Sequence, residues 1–130
     1  MIIITIRTDK PEAEIGLYNG QDKLGYEIWL AHRELSRTLH KKIETLLAIH
    51  GCTLQNVQGI VCFKGPGSFT GLRVGLTVGN AFAYGLEVPV VAAGGDDWIQ
   101  QGISRLLAGE DDHITLPDYG RPARITAQKK

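Results

Sequence analysis

At 130 residues, with 14 basic and 14 acidic side chains, the chain is long enough for one buried core and small for a self-contained two-substrate enzyme. The balanced charge excludes a global electrostatic footprint for nucleic acid or membrane. Cys52 and Cys62 lack CxxC spacing and stand in apolar surroundings, which predicts free, buried thiols in a reducing compartment.

The opening MIIITIR is apolar and β-branched, with its first cation after the run. It predicts a central strand rather than a signal peptide. The longest apolar stretch, residues 74 to 86, is too short to cross a bilayer, so the default location is cytoplasmic. Residues 12 to 18 and 24 to 30 are shorter strand-like runs, and Asn19-Gly20 between them is a hairpin signal. The chain therefore opens as a three-stranded antiparallel meander. Tyr26 and Trp29 on its third strand are explained by packing alone.

A helix is predicted over residues 33 to 50. Leu35, Leu39, Ile43, Leu46 and Leu47 form its apolar face, and Gly51 stops it. Arg33, Arg37, Lys41, Lys42 and Glu44 populate the rest, a basic face that reads first as solvated and second as a seat for an RNA backbone. His32 and His40 lie about 12 Å apart along such a helix, too far for one metal. No HxxxH or HExxH occurs, and no metal site is predicted.

Residues 57 to 63 form the next strand. The stretch GPGSFTGLRVGLTVGNAFAYGL at 65 to 86 then reads as a glycine turn feeding an apolar helix capped by Ser68 or Thr70. Gly71, Gly75 and Gly79 recur every fourth residue and form one stripe. Each weakens an isolated helix by roughly 1 kcal/mol relative to alanine, so something must approach this backbone closely. Two readings follow: a packing seam, or an anion cradle at a helix N-terminus. The P-loop pattern fails for want of Lys-Ser or Lys-Thr, and the dinucleotide pattern fails after Gly67, so the seam is the stronger reading.

A fifth strand at 88 to 93 starts at Val88-Pro89. Asp96 and Asp97 open a third helix with Trp98, Ile99, Ile103, Leu106 and Leu107 on one face, ended by Gly109. From Glu110 the composition turns polar, so residues 1–109 read as the domain and 110–130 as a tail. The order β-β-β-α-β-α-β-α is α/β: a mixed five-stranded sheet with an antiparallel meander followed by β-α-β units. That is the plan of a single RNase H-like, or actin-like ATPase (ASKHA), domain.

Enzyme chemistry finds little support in the residues. GPGSFTG is not a GxSxG elbow, and no His or Asp is placed by sequence to activate Ser68 or Thr70. Asp96-Asp97 and Asp111-Asp112 read as a helix cap and a solvated loop. No catalytic residue and no cofactor is assigned.

GPGSFTGLRVG at 65 to 75, between a strand ending in Phe63 and the VPVV run, resembles the signature of the TsaB (YeaZ) family of tRNA threonylcarbamoyladenosine biosynthesis. Leu35-Ser36 stands where that family often has His-Ser, and Pro117, Tyr119 and Arg121 resemble its PxYxR. Family members are usually near twice this length, so the resemblance implies a minimal or truncated form lacking the second domain. Arg7-Thr8-Asp9 stands where members often keep Asp-Thr-Ser, putting a cation in the place of the first carboxylate of a Mg-nucleotide site.

The resemblance implies a non-catalytic, cytoplasmic partner of a TsaD-like subunit, which carries the transfer site. It also implies further contact with a TsaE-like ATPase, indirect tRNA association, a homodimer when alone, and no membrane. The family contact is made by the two helices, which assigns Arg37, His40, Lys41, Leu72, Arg73, Gly75, Leu76, Gly79, Asn80 and Ala83 to the partner interface. Gly65, Pro66, Gly67, Ser68, Thr70 and Gly71 are left as a structural turn. Leu76→Glu or Gly75→Trp is then expected to abolish the complex while leaving the sheet folded. The alternative is a homodimeric actin-like domain with its own nucleotide-binding or ATPase activity.

Overall fold

The structure, a computed structural model, describes residues 1–31 and 35–117, apart from the Phe69 side chain. His32, Arg33, Tyr119 and Arg121, singled out above, lie outside the described residues.

β1 (Ile2–Arg7), β2 (Glu12–Asn19) and β3 (Asp22–Leu30) form the expected antiparallel meander. Gly20 supports the β2–β3 hairpin with φ +59°, a value that costs glycine nothing. β4 (Gly59–Phe63) then lies parallel to β1, and β5 (Val90–Ala93) parallel to β4, for a sheet order of β3-β2-β1-β4-β5. β4 and β5 are buried along their whole length, as strands covered on both faces must be.

Side-chain alternation divides the helices between the two faces. Ile6, Ile60 and Cys62 point toward α2 (Phe69–Leu86), where Cβ atoms on its glycines would touch them. Gly59 and Val61 point the other way, against Leu106 and Gly102 of α3 (Trp98–Leu107). α1 (Leu35–Ile49) lies beside α2 and covers β2 and β3, burying Leu39, Ile43, Leu46 and Leu47 as its periodicity predicts. Gly51 and Gly109 terminate α1 and α3 at φ +73° and +87°. In α3 the expected face is trimmed, because Gly102 packs on Val61 while Leu107 remains half exposed. Cys62 is buried as expected, whereas Cys52 is only half buried.

The first residues of the expected tail pack on the sheet. Residues 110–115 run along the open edge of β5 and complete its hydrogen bonding. Asp112 N donates to Val90 O at 2.8 Å, Val90 N to Asp111 Oδ1 at 3.1 Å, and Ala92 N to Asp112 Oδ2 at 2.9 Å. Arg105 of α3 donates to Ala92 O, Asp112 and Glu110. The carboxylates read as a solvated loop are thus a strap that satisfies an edge strand.

Candidate functional site

The glycine turn sits at the carboxyl ends of β1 and β4. Gly65 adopts φ +112°, and its carbonyl packs so closely on Gly94 that a Cβ there would overlap it. Gly95 N donates to the same carbonyl at 3.3 Å, so the loop after β5 braces the turn. Ser68 is the N-cap, its Oγ accepting from Gly71 N at 3.4 Å, and Thr70 falls inside the helix. The Ser68 hydroxyl is therefore engaged in starting α2.

The corner beside this turn is occupied by the chain itself. Arg7 Nε donates to Asp9 Oδ1 at 2.7 Å, and its guanidinium lies 3.8 Å over the Phe63 ring. The Asp9 side chain is only 6% exposed and lies against Gly67, where a Cβ would come within 2.8 Å of Oδ2. A phosphate at this helix start would meet a carboxylate already there, and the Arg7 charge is spent on Asp9. The seam reading fits this geometry and the cradle reading does not. Among the described residues, no group of three or more His, Cys, Asp or Glu is placed to hold a metal.

What approaches the glycine stripe is the chain's own sheet. Thr8 Oγ1 donates to Gly71 O at 2.6 Å and accepts from Gly75 N at 2.9 Å, fastening β1 to one rung of α2. A Cβ at Gly75 would lie 2.5 Å from that oxygen, and one at Gly79 would overlap Cys62 Sγ. Burial pushes the Cys62 thiol up to about 12, outweighing the opposing hydrogen bond with Thr115.

Several residues of the expected interface face inward in this fold. Leu72, Leu76 and Ala83 are 1%, 3% and 5% exposed, and Gly75 and Gly79 are buried beneath them. Asn80 holds the strap: its Oδ1 accepts from Thr115 N at 2.9 Å and from Thr115 Oγ1 at 2.8 Å. Leu76→Glu and Gly75→Trp would consequently disrupt the fold before they tested any complex.

Arg37, His40 and Lys41 of α1 and Arg73 of α2 are exposed, as an interface needs. The outward crest of α2 continues through Thr77, Ala81, Tyr84 and Gly85, with Tyr84 89% exposed and open space beside Gly85. The His40 ring stacks on Phe82 with centroids 5.1 Å apart, joining α1 and α2 into one surface. Past the crest, Tyr84, Gly85, Val88 and Ile114 line an open cleft of about 710 Å³ with Asp111 and His113 at its rim. Thr77, Ala81 and Gly85 lie on the side of α2 opposite the glycine stripe. Their own four-residue spacing was the signal available.

A protein-family model described as TsaD: tRNA N6-adenosine threonylcarbamoyltransferase matches residues 29–93, half of the chain. The tRNA threonylcarbamoyladenosine biosynthesis protein TsaB of Escherichia coli (strain K12) is 28% identical over 118 residues, covering 85% of this chain and 50% of that protein. The solved structure of YeaZ from Pseudomonas aeruginosa matches with a TM-score of 0.65 and 26% identity, over 72% of this chain and 43% of that one. The chain belongs to the TsaB (YeaZ) family. It spans about half the length of the E. coli TsaB that it matches. The Thermus thermophilus RuvC structure, 13% identical with a TM-score of 0.53, shares the fold across 95% of this chain and 86% of its own. Fold and TsaB membership thus agree with the RNase H-like plan read from element order. No helix among the described residues is long and apolar enough to cross a membrane.

Proposed function

We propose that this TsaB-family chain is a non-catalytic subunit that binds and supports a TsaD-like subunit in threonylcarbamoyladenosine modification of tRNA, through the joined outer surface of α1 and α2. The observation that carries this reading is the division of α2 into two faces. Its glycine stripe is consumed by β1 and β4, while on the other side Thr77, Ala81, Tyr84 and Gly85 form a crest that is exposed among the described residues. Small side chains at 77, 81 and 85 let a second helix lie close, and Tyr84 supplies an aromatic anchor of the kind that dominates interfaces. Arg37, His40 and Lys41 stand on the adjoining side of α1 as its polar rim. Family membership supports the choice of partner. The corner filled by Arg7 and Asp9 supports a supporting rather than a nucleotide-hydrolysing role.

Co-purification with the TsaD-like protein tests the surface. Ala81→Arg and Tyr84→Glu, both exposed, are expected to weaken the complex by roughly tenfold or more each while leaving the circular dichroism spectrum unchanged. Retained binding by both variants would place the contact elsewhere. Light scattering of the chain alone, and mixed with the partner, separates a homodimer on the same helices from a heterodimer.

A further inference from the structure

β3 is the last strand on its side of the sheet, and among the described residues nothing pairs with its outer edge. Ala31 N donates to Pro11 O at 2.9 Å, continuing the register that sets Leu30 opposite Glu12 and Trp29 opposite Ala13. Bonded and non-bonded pairs alternate in an antiparallel ladder, so Trp29 and Glu27 turn their N–H and C=O inward to β2. Tyr26, Ile28 and Leu30 turn theirs outward to the open edge. Gly25 packs under Leu46 and His50 of α1, so by alternation the side chains of these three residues lie on the other face. There Ile28 and Leu30 are 58% and 59% exposed.

Free backbone groups beside exposed apolar side chains are a template for another strand. The intervening residues select which strand. Glu27 accepts from Lys42 Nζ of α1 at 2.5 Å, and that ammonium lies 5.5 Å over the Trp29 ring. Trp29 Nε1 is buried, with no hydrogen-bond partner among the described residues.

We propose that β3 pairs antiparallel with β3 of a second copy of this chain, about a two-fold axis at Ile28. An axis at Glu27 would set that carboxylate directly against its own copy. An axis at Tyr26 would carry the pairing into the irregularity where Gly25 and Lys23 oppose Leu17 and Tyr18. At Ile28, the outward groups of residues 26, 28 and 30 meet those of 30, 28 and 26, giving about six hydrogen bonds. The apolar side chains of both copies then form one stripe across the joined sheets.

Charge on the α1 face matches the same axis. Glu27 of each copy comes opposite Trp29 of the other in a non-bonded pair, the kind that brings side chains closest. The orphaned indole thereby gains a carboxylate neighbour. The two Glu27–Lys42 pairs stand side by side in opposite sense, so that signs alternate around the axis. Thr38 and Thr45 border the edge on α1, small enough to admit the second copy's helix. The α2 crest takes no part, so this contact stands independently of the function proposed above.

Sedimentation equilibrium of the full chain tests the proposal. Wild type is expected to pass from monomer to dimer between about 1 and 200 µM. Ile28→Lys, which sets two ammonium groups together at the axis, should weaken association by roughly tenfold or more. Glu27→Lys and Lys42→Glu each gather four like charges around the axis and should stay monomeric alone. Their equimolar mixture should dimerise, because each copy then meets its opposite sign, a rescue that misfolding of either variant could not produce. Ala81→Arg, on the α2 crest, should dimerise as wild type. The proposal is overturned if wild type stays monomeric throughout, if Ile28→Lys associates as wild type, or if the mixture associates no better than its components. Loss of the dimer in Ala81→Arg would also overturn it, moving the self-contact to the helix pair.

Discussion

At Gly75 and Gly79 the missing side chain is a packing requirement of the chain's own sheet, whereas at Gly85 no described atom stands within 4 Å of where a Cβ would lie. Gly79→Ala should drive a methyl into Cys62 Sγ and cost about 1–3 kcal/mol as an overpacked core. Gly85→Ala, with open space around it, should gain about 0.5–1 kcal/mol from helix propensity. Urea unfolding of the two variants side by side reads both signs. Thr8 makes a similar point about polarity: a hydroxyl 3% exposed, it serves Gly71 O and Gly75 N together. Thr8→Val keeps the volume, removes both hydrogen bonds, and should cost about 1–3 kcal/mol. Cys62 adds a pH dependence. Its folded thiol is held protonated by burial, so its contribution is full below the unfolded value and is lost as pH rises toward about 12. In native protein near pH 8, Cys52 should react with a thiol reagent and Cys62 only after unfolding.

The element whose fate the sequence concealed is β5. As an edge strand it would expose unpaired groups, and the strap at 110–115 supplies the missing donors and acceptors. A chain ending at Gly109 should therefore be destabilised by about 1–3 kcal/mol or more, measured as a lower urea midpoint, where a solvated tail would change nothing. Burial alone would raise the Asp112 carboxyl. The Arg105 hydrogen bonds, the Ala92 N–H and the Arg105 charge outweigh it, and the net direction is downward. A lowered folded pKa contributes stability above the unfolded carboxylate range and loses it as pH falls through the folded value. Asp112→Asn should accordingly reduce stability at neutral pH and flatten its decline below about pH 4.

For the whole molecule, one sheet is covered by α1 and α2 on one face and by α3 on the other, which leaves the outer crest of the helix pair exposed among the described residues. The assembly-level expectation is that tRNA modification by the TsaD-like subunit falls when this chain is omitted and is not restored by Ala81→Arg. The isolated chain should show no ATP turnover above background, and turnover that tracked Asp9 substitutions would return the corner to a nucleotide site.

The apolar β-branched run MIIITIR, the Asn19-Gly20 turn, the apolar period of α1 and the GPGSFTG corner are local patterns, and together with the runs that follow they place the five strands and three α-helices in order. The glycine stripe is likewise local, so that a close approach was required could be read directly. Its direction could not, since a stripe tells which side of a helix is bare and not which neighbour lies on that side. Only the pairing of β1 with β4 carries Thr8 and Cys62 beneath Gly71, Gly75 and Gly79, turning the stripe inward and Thr77, Ala81 and Gly85 outward. The strap at 110–115 was hidden for the same reason. Its carboxylates are polar in sequence, and their partners on Val90, Ala92 and Arg105 are supplied only by the folded sheet.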